Sequence, residues 1–163
     1  AFFSISNKKV NIKLISEKIP LGTAGSLSLI KKNLKKTFFV INCDAIISCN
    51  YSSLYEFHKK NKSILTLVVS KKNNTIPYGL CKINSKGNLL SIKEKPSIDF
   101  LANTGLYVME PNVLKYLKKD CVLDMNQLIE ILIKKGKKIG VFPINEDEWS
   151  DLGNWQSLKK YTN

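Results

Sequence analysis

Apolar residues recur along the chain in two rhythms: short strand-like runs, and longer stretches with helical spacing. Val10 to Ile15 alternates apolar with polar positions and predicts a strand. Pro20 to Ser26 is a loop of small residues. It opens into Leu27 to Leu34, where Leu27, Leu29, Ile30 and Leu34 suit an amphipathic helix. Thr37 to Asn42 is a continuous apolar run, the pattern of a buried parallel strand. Ser52 or Ser53 can cap a helix reaching about Lys60. Ile64 to Val69 predicts a second buried strand.

The second half is more strongly punctuated. Leu80 to Ile83 and Leu89 to Ile92 are β-prone runs on either side of Asn84-Ser-Lys-Gly-Asn, a dense turn signal in which Gly87 can take positive φ. They predict an antiparallel hairpin, ended by Pro96, which cannot donate to a ladder. Gly105 to Met109 predicts a further strand, and Pro111 is placed to start a short helix. Asp124 to Lys135 predicts a helix with Leu128, Ile129, Ile131 and Leu132 on its apolar side and Gly136 as its stop. Ile139 to Ile144 predicts the last strand. A loop at Trp149-Ser-Asp-Leu-Gly-Asn-Trp leads to a terminal helix around Gln156 to Lys160. Strands alternating with helices imply an α/β fold with a largely parallel sheet and an inserted antiparallel hairpin.

Composition narrows the class. At 163 residues the chain is one domain and long enough to bury a core. With 44% hydrophobic and 24% charged residues it is globular, not disordered. No apolar run approaches a membrane span. The start, Ala1-Phe-Phe-Ser-Ile-Ser-Asn-Lys-Lys, has its apolar residues before its charges and does not read as a signal peptide. It reads as a chain entered in mid-sequence.

The net charge of +13 comes from 26 cationic residues that are all Lys. Nucleic-acid binding is one reading. Base readout leans on the guanidinium fork, however, and Arg is absent. The lysine pairs are spread over the whole chain, as on solvated faces, so a basic enzyme handling anionic substrates is preferred, with no nucleic acid and no membrane as partner. Cys43, Cys49, Cys81 and Cys121 have no metal-site spacing, and His58 is placed on a polar helix face. Reduced cysteines predict a cytoplasmic location.

Several residues could carry chemistry. Asp44 follows an apolar strand, and ligands of open α/β sheets lie beyond the carboxyl ends of strands. Asp151 follows another. An Asp in such a place is commonly a turn or cap residue; two converging on one site would suit Mg²⁺, which takes few protein ligands. Leu21-Gly-Thr-Ala-Gly is either a plain small-residue approach to a helix or a close backbone approach to a flat ligand. Glu94 and Lys95 alternate on a strand end, so they face opposite sides unless a bulge intervenes. They are either a solvated pair or an acid for sugar hydroxyls and an amine for a phosphate. Asn103 and Thr104 are either a strand cap or ligand contacts.

The order of these segments is what resembles a family. Leu-Gly-Thr-Ala-Gly, then Asn-Cys-Asp, Tyr-Gly, Glu-Lys-Pro, Asn-Thr-Gly-Leu-Tyr and Trp-Ser-Asp-Leu-Gly is similar to the sugar-1-phosphate nucleotidyltransferases, most of all the mannose-1-phosphate guanylyltransferase-like group. The resemblance runs from about Val10 to Trp155. It implies a Rossmann-like nucleotide-diphospho-sugar transferase fold. It implies transfer of a nucleoside monophosphate from a nucleoside triphosphate, GTP first, to a sugar 1-phosphate with release of pyrophosphate, in nucleotide-sugar biosynthesis. Leu21, Gly22, Thr23 and Ala24 would line the base. Asp44 and Asp151 would hold Mg²⁺. Gly79, Glu94, Asn103 and Thr104 would meet the sugar, and Lys95 its phosphate. Asp44, Lys95 and Asp151 would be the catalytic set.

Cys43 stands where the family has Gly, a departure that could crowd the ribose. The family's opening strand and Gly-Gly-x-Gly-Thr-Arg-Leu loop have no counterpart. Residues 1–163 are therefore expected to be the C-terminal two-thirds of one nucleotidyltransferase domain, inactive alone and prone to self-associate, with a homo-oligomer possible. The alternative is a non-catalytic, nucleotidyltransferase-like binding or assembly subunit.

Overall fold

The computed structural model describes residues 12–153. In chain order, a four-residue helix α1 (Gly22–Gly25) and a 3₁₀ turn (Ser26–Ile30) lead to β1 (Phe38–Ile41) and β2 (Ala45–Ile47). Helix α2 (Tyr51–Asn61) precedes β3 (Leu65–Thr75), followed by β4 (Leu80–Ile83), β5 (Leu89–Lys93) and β6 (Ser97–Met109). A 3₁₀ turn (Pro111–Tyr116), α3 (Met125–Lys134), β7 (Ile139–Ile144) and β8 (Trp149–Asp151) follow.

The main sheet runs β1-β6-β3-β7. Its centre is the long ladder of β3 with β6, from Leu65↔Met109 to Thr75↔Ser97. Alternation along β6 sorts its side chains between two cores. Tyr107 and Met109 face the cluster built with Leu65, Val113, Leu114, Leu128 and Leu132 under α3. Leu106 and Val108 face the second, with Leu54 of α2, Val68 and Ile144. Apolar side chains on both faces of one strand put helices on both sides of the sheet. Each fully buried Leu or Val contributes about 1.5–3 kcal/mol.

The helix ends follow local chemistry. Asn50 caps α2 by accepting from Ser53 N at 2.9 Å, and Lys62 ends it in the left-handed region. Ser53 is thus a donor to the cap, not the cap. Asp124 caps α3 in a capping box with Gln127, and Gly136 at φ +65° follows it.

The α/β expectation holds, with corrections in detail. Within the described sheet only β3 and β7 pair in parallel; β1–β6 and β3–β6 are antiparallel. Continuous apolarity marks burial but not direction, and β1 is an edge strand with Phe39 and Ile41 exposed. The expected strand at Val10 to Ile15 is not formed over residues 12–15, and its first two residues lie outside the described range. The helix over Leu27 to Leu34 reduces to the 3₁₀ turn, because Asn33 N already turns back to Ile30 O. The Trp149 loop is in part a strand, and the helix at Gln156 to Lys160 lies outside the described residues. The β4–β5 hairpin forms as expected but as its own two-stranded sheet, with every side chain exposed. Among the described residues no helix is long and apolar enough to cross a membrane, and all four cysteines are free.

Candidate active site

A polar cleft of about 420 Å³ opens where β1 and β6 approach β8 and the start of α3. Asn42, Asp44, Asn103, Gly105, Asp124, Trp149 and Asp151 are among the residues that line it.

The cleft begins with a bulge. Leu67 opposes Tyr107 and Val69 opposes Asn103, so β6 spans more residues than β3 between these pairs. Gly105 takes φ +81° there, and a Cβ on it would come within 2.7 Å of Asn42 Nδ2. Only glycine lets Asn42 pack against the strand at this point. Asn42 N donates to Gly105 O at 3.0 Å, which fixes the turn just before Asp44.

The two candidate metal ligands are brought together by register. β2 and β8 pair with Ala45 opposite Asp151. Leu152 N donates to Asp44 O at 2.8 Å, which ties the next turn to the first carboxylate's backbone. Both carboxylates then converge over Gly153. A Cβ there would lie 3.1 Å from Asp151 Oδ1 and 3.4 Å from Asp44 Oδ2. Two adjacent, exposed carboxylates offering only oxygen fit a hard cation such as Mg²⁺, with its remaining positions left to phosphates and water. Among the described residues no group of three or more His, Cys, Asp or Glu could hold a metal ion.

The small-residue loop is tied to α3. Thr23 N donates to Asp124 Oδ1 at 3.2 Å, and Met125 N donates to Thr23 Oγ1 at 2.8 Å. Thr23 lines the cleft; Leu21 and Ala24 turn their side chains into the core. Gly22 sits at φ +76°, and a Cβ there would meet Asp124 Oδ1 and Leu123 O at 2.7 Å. Its close backbone approach is therefore to the protein's own chain.

Asn103 and Thr104 border the cleft with their polar groups engaged. Asn103 Nδ2 donates to Tyr107 Oη at 2.7 Å, and its Oδ1 accepts from Gly105 N at 3.2 Å. Thr104 is buried and its hydroxyl donates to Val68 O at 2.9 Å. Burial pushes the Tyr107 phenol pKa up, against the opposing hydrogen bond from Asn103. The ring is neutral at pH 7 and holds Asn103 in place.

Gly79, Glu94 and Lys95 do not line this cleft. They sit at the root of the hairpin, where a Cβ on Gly79 would come within 3.1 Å of Glu94 Oε2. Glu94 and Lys95 lie in a bend after β5, so strand alternation does not govern them. Lys95 takes φ +41°, a conformation that costs a non-glycine residue about 1–2 kcal/mol. Such residues gather at binding sites. Cys43 is exposed beside Asp44.

Asn42, Gly105, Tyr107, Asp124, Asn126 and Trp149 were not marked by the sequence as site residues. Asn42, Gly105, Tyr107 and Trp149 stood inside the segments whose order carried the resemblance, whereas Asp124 and Asn126 stood in none of them.

A mixed sheet flanked by helices, with a polar cleft at its strand ends, defines a Rossmann-like α/β domain. The chain belongs to the nucleotidyl transferase family, whose model matches residues 2–163. A mannose-1-phosphate guanyltransferase of Aspergillus oryzae is 34% identical over 155 residues, 90% of this chain and 41% of that protein. A UTP–glucose-1-phosphate uridylyltransferase of Synechocystis is 28% identical over 158 residues, 85% of this chain and 39% of that one. HddC from Yersinia pseudotuberculosis, solved complexed with GMP-PN, shares the fold with a TM-score of 0.62 at 21% identity, over 90% of this chain and 63% of that one. The chain thus spans about two-fifths of the length of the curated relatives it matches.

Proposed function

We propose that this chain forms part of a Mg²⁺-dependent sugar-1-phosphate nucleotidyltransferase, with guanylyl transfer to a hexose 1-phosphate as the preferred reaction. The observation that carries it is the convergence of Asp44 and Asp151 over Gly153 at the mouth of the cleft. The guanyltransferase relatives support guanine as the base, with thymine and uracil behind it.

The reaction joins two anions, since the sugar phosphate attacks the α-phosphate of the triphosphate. Mg²⁺, when bound, offsets that charge. Asp44 and Asp151 would hold it, their spacing set by the β2–β8 pairing of Ala45 with Asp151. Thr23 and Asp124 form the cleft's other wall, toward the base. Asn103, set by Tyr107, faces the sugar. Lys95 neutralises the sugar phosphate and Glu94 accepts from its hydroxyls, which requires the hairpin to approach the cleft when ligand is present. No covalent intermediate is needed, because positioning and electrostatic stabilisation supply most of the effect in phosphoryl-type transfer.

The test is pyrophosphate release by the full-length protein given GTP and a hexose 1-phosphate, with UTP and dTTP as competitors. Asp44→Asn and Asp151→Asn should each cost several kcal/mol of transition-state stabilisation. Near-normal turnover by either variant would sink the assignment. Mg²⁺-dependent sugar-nucleotide binding without turnover in the unmodified protein would move the non-catalytic subunit ahead.

A further inference from the structure

The two-stranded β2–β8 sheet carries Asp151 and begins just after Asp44, but among the described residues it shares no ladder with the main sheet. Something other than strand pairing must hold β8 against the sheet. Trp149 is the first residue of β8 and packs on the core cluster of Val68, Leu106 and Ile144. Its indole Nε1 is buried and has no hydrogen-bond partner among the described residues. Among the described residues the ring is instead held by the contacts on its faces.

One of those faces carries Lys72. The Nζ of Lys72 lies 5.1 Å from the Trp149 ring centroid, within cation–π range. The same ammonium is 2.8 Å from Glu146 Oε1, in the turn just before β8. Lys72 lies on β3, the central strand, paired with Phe100 on β6. It therefore reaches from the sheet to both the turn that feeds β8 and its first side chain. Trp149 and Asp151 are two residues apart on one strand, so they share a face, and both line the cleft.

We propose that Lys72 is a positioning residue for the carboxylate pair: it seats Trp149 and Glu146 against β3 and so fixes where Asp151 stands relative to Asp44. The inference rests on the metal-binding reading of those two carboxylates. Residues that orient metal ligands commonly cost ten- to a hundredfold in metal affinity when removed. Lys72→Met keeps the aliphatic stem and loses the cation. Lys72→Arg keeps a cation that stacks well on indole.

The experiment is a Mn²⁺ titration of the full-length protein followed by electron paramagnetic resonance, which needs no turnover. The wild type, Lys72→Met, Lys72→Arg, Glu146→Gln and Asp151→Asn are compared. Lys72→Met should raise the Mn²⁺ dissociation constant roughly tenfold, with Lys72→Arg restoring most of the loss. Glu146→Gln should fall between, because it loosens Lys72 without removing it. Wild-type affinity in Lys72→Met overturns the inference and leaves the metal site standing. A loss in Lys72→Met that Lys72→Arg does not restore also overturns it, since packing alone would then account for the effect. If Lys72→Met does not fold, wild-type affinity in Glu146→Gln decides against it. If the wild type binds no Mn²⁺ that Asp151→Asn abolishes, the metal reading and this inference fall together.

Discussion

His58 is 1% exposed, between α2 and the sheet. Its Nδ1 lies 2.8 Å from Thr66 Oγ1, and its Nε2 lies 3.3 Å from Glu110 Oε1. Burial pushes its pKa below the ordinary 6.5; the Glu110 carboxylate opposes that and the Lys59 charge adds to it. Burial pushes Glu110 up, but hydrogen bonds from Lys59 and Thr37 and the charge of Lys59 outweigh it, leaving its pKa below 4.5. Both signs agree. Below pH 6.5 the unfolded chain takes up a proton at His58 that the native ring resists, so stability falls on acidification. Below 4.5 the same holds for Glu110. One such proton gives a limiting slope of about 1.4 kcal/mol per pH unit. His58→Gln, which keeps a polar partner for Thr66 but does not titrate, should flatten the decline as pH falls below about 6.5. Superimposable pH dependences of melting for the two proteins would refute this. The sequence misplaced this residue because Glu56, Lys59 and Lys60 surround it. The signal that finds it is Leu54 four residues earlier, since both lie on the buried stripe of α2. Asp44 and Asp151 were legible from their places after apolar runs. Their convergence over Gly153 was not, because it depends on the β2–β8 register.

At the scale of elements, local chemistry was legible and long-range ties were not. The β4–β5 hairpin could be read because its turn closes on itself: Asn84 Oδ1 accepts from Lys86 N and Asn88 N, and Gly87 takes φ +81°. The attachment of α1 to α3 could not, because Thr23 and Asp124 are 101 residues apart. That attachment makes Asp124 bear on two elements at once. It caps α3, and its Oδ1 holds Thr23 N at the cleft wall. Asp124→Ala should lose about 1 kcal/mol from the cap alone. Under the proposed function it should also raise the KM for the triphosphate, since Thr23 loses a partner. Asp124→Asn, an equally good cap, should recover the stability. Denaturant midpoints for the three proteins give the comparison; an unchanged midpoint in Asp124→Ala would remove the capping role.

At the scale of the molecule, the two sheet edges differ. β7 carries Pro143, which removes one ladder donor, and Lys138 just before it adds charge. β1 is Phe-Phe-Val-Ile with neither device, and no strand pairs with its outer side among the described residues. Phe39 stacks edge-on with Tyr51 at 5.7 Å, and both are about two-fifths exposed, as is Ile46 nearby in the chain. An apolar edge of this kind templates pairing with another chain. The opposing term is the net charge of +13, which repels a second copy. The two respond differently to salt. Repulsion between exposed charges fades as the Debye length drops from about 30 Å at 0.01 M to about 8 Å at 0.15 M, whereas apolar burial is not weakened. The 163-residue polypeptide should therefore be mostly monomeric at low ionic strength and associate as salt is added. Ile41→Lys places a charge on the free edge and should suppress that association at every ionic strength. Sedimentation velocity reads both. A mass independent of salt, or an Ile41→Lys variant that associates like the wild type, would locate the contact elsewhere, with the exposed apolar residues of the β4–β5 hairpin as the next surface to charge.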